Sequence, residues 1–258
     1  MMTALVRETI TVDGTSVTFL TGGSGEPLVF FHGAGTFHGF AFAEPWTENH
    51  RVHVPFHPGF GESADDDRIT DMHDYVMHYM ELFDQLELEQ VNLVGFSLGG
   101  WMAARLCTEF GHRIRRLVLV APAGLRDPEN PTVDIFKLKP DEIVERLAHN
   151  FEVLRPHLPE GHDVDFIVDR YREMSSTARV AWERLHDPKL TRYLHRITVP
   201  TMILWGDKDR IIPVGQAATW AKAIPDAKVH IVPDAGHLVL DEKPEAVATV
   251  SAFFGAAS

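Results

Sequence analysis

Polar and apolar residues alternate from Val6 to Val12 and again from Ser16 to Leu20, on either side of Asp13-Gly14. A period of two puts one set of side chains on each face of a strand, and Asp-Gly between two such runs signals a hairpin. Other runs are continuously apolar: Pro27 to Phe31, Val52 to Pro55, Val91 to Val94, Leu117 to Val120 within Arg116 to Ala121, and Thr201 to Trp205. That pattern belongs to strands buried on both faces. Lys228 to Val232 adds a last strand. Between these runs the apolar period changes to that of a helix. Met72, Val76, Tyr79, Met80 and Phe83 recur at helical spacing within Asp71 to Leu86, and further helices are expected at Gly100 to Phe110, about Val214 to Ala223, and Pro244 to Phe253. Strands that alternate with helices predict an α/β protein whose eight-stranded sheet is mostly parallel, with helices on both faces.

One stretch breaks the alternation. Between Pro122 and Pro200 there is no convincing strand, and Pro128, Pro131 and Pro140 fall near its start. Pro140-Asp141-Glu142 suits a helix N-terminus, with proline in the first turn and carboxylates near the positive end of the dipole. Asp163 to Leu185 is expected to be a helix that buries Phe166, Ile167, Tyr171, Met174, Val180, Ala181 and Leu185. The expected organisation is therefore a core from 1–121, a helical insertion from 122–199 that walls a pocket at the sheet's C-terminal edge, and the rest of the core from 200–258.

Composition narrows the function more than the fold. Apolar residues make up 45% and charged residues 24% of 258, enough for a real core. A formal charge of −13 disfavours nucleic acid and anionic membranes as partners and leaves a small molecule as the expected one. Cys107 is the only cysteine, so no internal disulfide can form. The N-terminus has no signal-peptide apolar stretch and no apolar run suits a membrane span, so a cytoplasmic protein is expected. The 15 histidines carry no ligand spacing typical of metal sites, and neither a metal nor an organic cofactor is expected. The oligomeric state is left open.

The chemistry centres on Gly95-Phe96-Ser97-Leu98-Gly99. A serine between two glycines, with a strand before and a helix after, is a nucleophile elbow: the tight turn lifts the hydroxyl clear of the sheet. A serine hydroxyl needs a base within hydrogen-bond reach and an acid to orient that base. Carboxylates after the strand at Thr201 to Trp205, Asp207 and Asp209, and the histidine of Ala235-Gly236-His237 lie on loops that open at the same sheet edge. Asp127 is a further candidate acid. Phe37, His38 and Trp101 are candidate pocket residues.

With His32-Gly33-Ala34-Gly35, Pro58-Gly59-Phe60-Gly61-Glu62-Ser63 and Gly206-Asp207-Lys208-Asp209, these segments resemble the serine-nucleophile α/β-hydrolase superfamily over nearly the whole chain. The resemblance implies Ser97 as nucleophile, His237 as base and Asp209 as its acid, with the amides of Ala34 and Leu98 as the oxyanion hole. It implies acyl transfer on an ester or lactone of a small to medium apolar substrate, with cleavage of a C–C bond or mere ligand binding on the same fold as alternatives. Hydrolases of meta-cleavage products resemble this chain in size and insertion. They usually carry asparagine before the serine and tryptophan after the histidine, where this chain has Phe96 and Leu238.

Overall fold

The computed structural model describes residues 2–255. The elements run β1 (Val6–Val12), β2 (Thr15–Gly22), β3 (Glu26–Phe31), β4 (His50–Pro55), α1 (Met72–Gln85), β5 (Val91–Phe96), α2 (Leu98–Phe110) and β6 (Ile114–Val120). After the insertion with α3 (Pro140–Leu147), α4 (Val164–Ala181) and α5 (Leu190–Tyr193) come β7 (Thr201–Gly206), α6 (Gln216–Ala223), β8 (Lys228–Val232), α7 (Val239–Glu242) and α8 (Pro244–Gly255). The eight strands form one sheet in the order β1-β2-β4-β3-β5-β6-β7-β8. Only the β1–β2 and β2–β4 pairs are antiparallel. The expected hairpin turns at Asp13 (φ 45°) and Gly14 (φ 83°), both in the left-handed region that such a two-residue turn requires.

The continuous apolar runs lie where they must. All of β5 and β7 is buried, so both faces of the central sheet are covered. The chain order reverses beside β3, whose neighbours are β4 and β5, and the loops leaving the C-terminal ends of these parallel strands are the natural place for a site. Helix α1 starts on a capping box: Asp71 accepts from the amides of His73 and Asp74, and Asp74 returns a bond to the Asp71 amide.

The insertion carries helices, and α4 ends at Ala181 rather than Leu185; of the positions expected to face inward, Ala181 is buried and Phe166, Met174, Val180 and Leu185 are partly buried, but two point outward. Ile167 and Tyr171, expected inside, are 56% and 75% exposed, whereas Glu173, Ser176 and Thr177 are buried. The cause is what α4 covers. The loops beneath it present polar groups, many of them backbone: Gly61 N and Thr36 N donate to Glu173 (3.1 and 3.4 Å), as does Thr36 Oγ1, and the Gly59 carbonyl accepts from Ser176 Oγ (3.4 Å). Buried amides and carbonyls need polar partners, so the polar side of the helix faces inward.

Candidate active site

Ser97 sits at the turn from β5 to α2 with φ 52° and ψ −115°, a left-handed conformation that a serine adopts only when its surroundings enforce it. Two glycines make this turn possible. A Cβ on Gly95 would stand 2.6 Å from the Ala103 Cβ, and one on Gly99 would strike the carbonyls of Phe31 and His32. The Ser97 amide donates to the Val120 carbonyl (3.0 Å), and its own carbonyl accepts from Ala123 N (2.9 Å) and Trp101 N (3.1 Å). The turn is thereby tied to β6 and to its own helix.

Three loops bring Ser97, Asp209 and His237 together. His237 Nε2 lies 3.0 Å from Ser97 Oγ, and His237 Nδ1 lies 2.7 Å from Asp209 Oδ2. The ionised carboxylate can only accept, so Nδ1 carries the proton and the Nε2 lone pair faces the hydroxyl. Asp209 is held from the other side. Its Oδ1 accepts from the amides of Ile211 and Ile212 (2.8 and 2.9 Å), and its Oδ2 accepts from Trp205 Nε1 (3.2 Å). The His237 loop is pinned by Glu242, which accepts from the amides of Gly236 (2.7 Å), His149 (2.9 Å) and Asn150 (2.8 Å).

The other candidate acids lie in different surroundings. Asp127 accepts from Thr219 Oγ1 (2.7 Å) and from the amides of Glu129 and Asn130, which makes it a loop cap, and the Thr219 bond first among these holds its carboxyl below the usual range. Asp207 pairs with the neighbouring Lys208 at 2.8 Å. Neither forms a bond to a histidine among the described residues.

The amides of Ala34 and Leu98 have no acceptor among the described residues, and both residues border the same cleft as Ser97. The direction of the Ala34 N–H is set from behind by two stacked, fully buried imidazoles, His32 and His57, with ring centroids 3.6 Å apart. His57 N donates to His32 Nε2 (2.9 Å), so the proton of His32 lies on Nδ1, which donates to the Gly33 carbonyl (2.6 Å). In a trans peptide that carbonyl points opposite to the next N–H, so holding it aims the Ala34 amide. His57 Nε2 donates to the His32 carbonyl (2.8 Å), and its Nδ1 accepts from the Tyr79 hydroxyl. Burial keeps both rings neutral, lowering His57 to about 3 and His32 well below its usual range.

A cleft opens to solvent beside Ser97. Its walls are almost wholly apolar: Leu98 and Trp101 from α2, Val133, Ile135, Ala181 and Leu185 from the insertion, and Ile211 and Ile212 after β7. Thr132 and Thr177 are the polar members besides Ser97. Trp101 is thus a wall, as its sequence position suggests. Phe37 and His38 are not. Phe37 stands edge-on to Phe166 (5.9 Å) with the Arg170 guanidinium 5.1 Å over its ring, and His38 Nδ1 bonds Asp241 (3.0 Å) on α7. Aromatic residues after a glycine turn signal contact, but the direction of that contact depends on which helix lies above. Ile211 and Ile212 escape a sequence reading although they adjoin Asp209, and Glu173 escapes it because a lone carboxylate on a helix carries no signal of its partners. Among the described residues no His, Cys, Asp or Glu cluster could hold a metal ion, and no helix is long and apolar enough to cross a membrane.

Fold and site geometry together define a hydrolase class. The sequence matches the profile of the alpha/beta hydrolase family over residues 28–250, and the chain belongs to that family. It is 28% identical over 87% of its length, and 82% of the relative's, to the poly(3-hydroxyalkanoate) depolymerase of Ectopseudomonas oleovorans. It is 29% identical over 88% of its length to the dihydrolipoyllysine-residue acetyltransferase component of the acetoin cleaving system of Pseudomonas putida, of which it spans 63%. Among solved structures, the 2-hydroxy-6-oxo-6-phenylhexa-2,4-dienoate hydrolase of Rhodococcus sp. strain RHA1 superposes with a TM-score of 0.78 at 20% identity, covering 98% of this chain and 99% of that one, which establishes the shared fold.

Proposed function

We propose that the protein is a serine hydrolase that cleaves a neutral carboxylic ester or lactone through an acyl-enzyme. The observation that carries this reading is the unbroken relay Asp209–His237–Ser97, at 2.7 and 3.0 Å, beside two amides with no acceptor among the described residues. His237 Nε2 takes the Ser97 proton as Oγ attacks the substrate carbonyl. The oxyanion is received by the Ala34 and Leu98 amides, each such donor contributing about 10²–10³ in rate. Collapse expels the alcohol, which takes the proton back from His237. Water, deprotonated by the same imidazole, then attacks the acyl carbon, and Ser97 Oγ leaves with that proton. Asp209 stays ionised and holds the tautomer. Residues 122–199 act as a cap whose inner side chains enclose the substrate.

The cleft supports an apolar, uncharged substrate. No Lys or Arg is among the residues lining it. A dienoate such as that named for the Rhodococcus fold neighbour carries a carboxylate, and leaving a charge unpaired among apolar walls is costly. Ester cleavage therefore ranks above C–C cleavage. The test is hydrolysis of p-nitrophenyl butyrate by wild type and Ser97→Ala, with a fluorophosphonate adduct mapped by mass spectrometry. Turnover lost in the variant and an adduct on Ser97 are expected. Activity that survives Ser97→Ala, or tight ligand binding without turnover, refutes the assignment.

A further inference from the structure

We propose, on the footing of the acyl transfer above, that Glu173 of the insertion is a positioning residue for the oxyanion hole. It fixes the far end of the turn that carries the Ala34 amide, and so makes the rate of the chemical step depend on the seating of α4. Four donors from three segments converge on this carboxylate. Thr36 supplies two, its hydroxyl to Oε1 and its amide to Oε2 (3.4 Å). Gly61 N donates to Oε1 (3.1 Å), and the Arg170 guanidinium lies 3.0 Å from Oε2. Glu173 is only 1% exposed. Burying a carboxylate carries a desolvation cost that an apolar side chain avoids, so fastening a helix to a loop does not by itself call for one. What an apolar side chain cannot do is hold N–H and O–H groups in place.

Its place along the chain gives this contact a consequence for the reaction. The turn is held before Ala34, where the Gly33 carbonyl accepts from His32 Nδ1. Among the described residues neither Ala34 nor Gly35 forms a hydrogen bond, and a Cβ built on Gly35 would touch only Glu173 and Phe37, at 3.8 and 3.9 Å. Thr36 is therefore the first point beyond the Ala34 amide at which another segment grips the chain, and the grip is Glu173. The His32 bond sets the direction of the Ala34 N–H; the Glu173 bonds set where the rest of the turn lies. An oxyanion donor acts only when it stands at hydrogen-bond distance from the place where the negative oxygen forms, so a small drift of the turn costs rate. The same helix also walls the cleft. Thr177, one turn beyond Glu173, donates its hydroxyl to the Glu173 carbonyl (2.8 Å), and both Thr177 and Ala181 line the cleft beside Ser97. Contact with the substrate and support of the turn are thus carried by one element.

The test compares p-nitrophenyl butyrate with its thiono analogue, in which sulfur, larger and a weaker hydrogen-bond acceptor, replaces the carbonyl oxygen. The wild type should prefer the oxo ester, because only the oxygen makes full use of the hole. Thr36→Val removes the hydroxyl tie and leaves Gly61 N and Arg170 on Glu173. It should lose about 10–100-fold in kcat on the oxo ester, with KM within about threefold of wild type. The oxo-to-thiono ratio of kcat/KM should fall by a similar factor, and Thr36→Ser, which keeps the hydroxyl, should restore both. Glu173→Gln should reproduce the loss, and Thr36→Val added to it should cost little more, since both cut one tie. An unchanged near-ultraviolet circular dichroism spectrum, with rates taken well below each unfolding midpoint, separates rate from stability; where Glu173→Gln fails to fold, Thr36→Val decides alone. A Thr36→Val enzyme within about twofold of wild type, a rise in KM alone, or a loss of rate at an unchanged oxo-to-thiono ratio would overturn the proposal and leave Glu173 as a fastening of the insertion. A wild type that turns over neither ester refutes the hydrolase reading and this inference with it, whereas any of the former results in an active wild type overturns this inference only.

Discussion

Replacing Asp209 by Asn separates orientation of the base from support of the fold. Every group around this carboxylate is a donor: two amides on Oδ1, and Trp205 Nε1 and His237 Nδ1 on Oδ2. An asparagine can keep its oxygen only on the side of the two amides, because the reverse flip would set its NH₂ against both. Its NH₂ then faces His237 Nδ1. Two donors cannot bond, so the imidazole gives up the Nδ1 proton, accepts from the amide and carries its proton on Nε2. In that tautomer no lone pair faces Ser97. The same substitution in serine proteases, where the geometry is of this kind, lowers kcat by about 10⁴, which corresponds to roughly 5.5 kcal/mol of barrier. Stability should fall by only about 1 kcal/mol, since both Asp209–amide bonds survive and Trp205 Nε1 keeps the Ile212 carbonyl at 3.0 Å. Initial rates on p-nitrophenyl butyrate, urea unfolding and the rate of fluorophosphonate labelling measure the three effects. An Asp209→Asn enzyme within tenfold of wild type, beside an Asp127→Asn enzyme that has lost its rate, would refute the tautomer argument and move the acid to the end of β6.

Gly99→Ala should prevent folding or cost several kcal/mol in urea unfolding, because its Cβ meets the carbonyls of Phe31 and His32, which are fixed in β3 and the turn after it; a soluble variant of wild-type stability would contradict the steric reading. Glu173→Gln should lower stability by about 1–3 kcal/mol, since Thr36 Oγ1, Thr36 N, Gly61 N and Arg170 all donate to this carboxylate and one acceptor becomes a donor; an unchanged urea midpoint would mean that α4 is not seated through it. Acid should destabilise the protein before its carboxylates titrate. Burial lowers His53 and His78 to about 4 and His57 to about 3, from an unfolded value near 6.5. Between these limits the unfolded chain binds more protons, so stability is full above about pH 6.5 and is lost as pH falls towards 4, at about 1.4 kcal/mol per pH unit for each histidine. Urea midpoints at pH 7.5, 6 and 5 test it, and a constant midpoint would show that these rings are not held neutral.

Much of this protein can be read along the chain because its signals are local. The Asp13-Gly14 hairpin, the doubly buried β5 and β7, and the Gly95–Gly99 elbow each arise from constraints among neighbours: backbone sign, side-chain period, and the absence of a Cβ where two segments cross. So the order of strands and helices, and the loops from which Ser97, Asp209 and His237 project, were determined by sequence. The local pattern leaves Asp209, Asp207 and Asp127 as alternatives, since all three sit on loops after strands; the resemblance picks Asp209, and the structure adds that it is the one of the three bonded to His237. The orientation of α4 was not determined by sequence. Its pattern offers an apolar stripe for burial, yet the loops under it expose amides and carbonyls, and satisfying those costs less than burying Ile167 and Tyr171 over unpaired polar groups. What lies across a gap between segments distant in sequence has no periodicity to announce it; it exists only once the chain has folded back on itself.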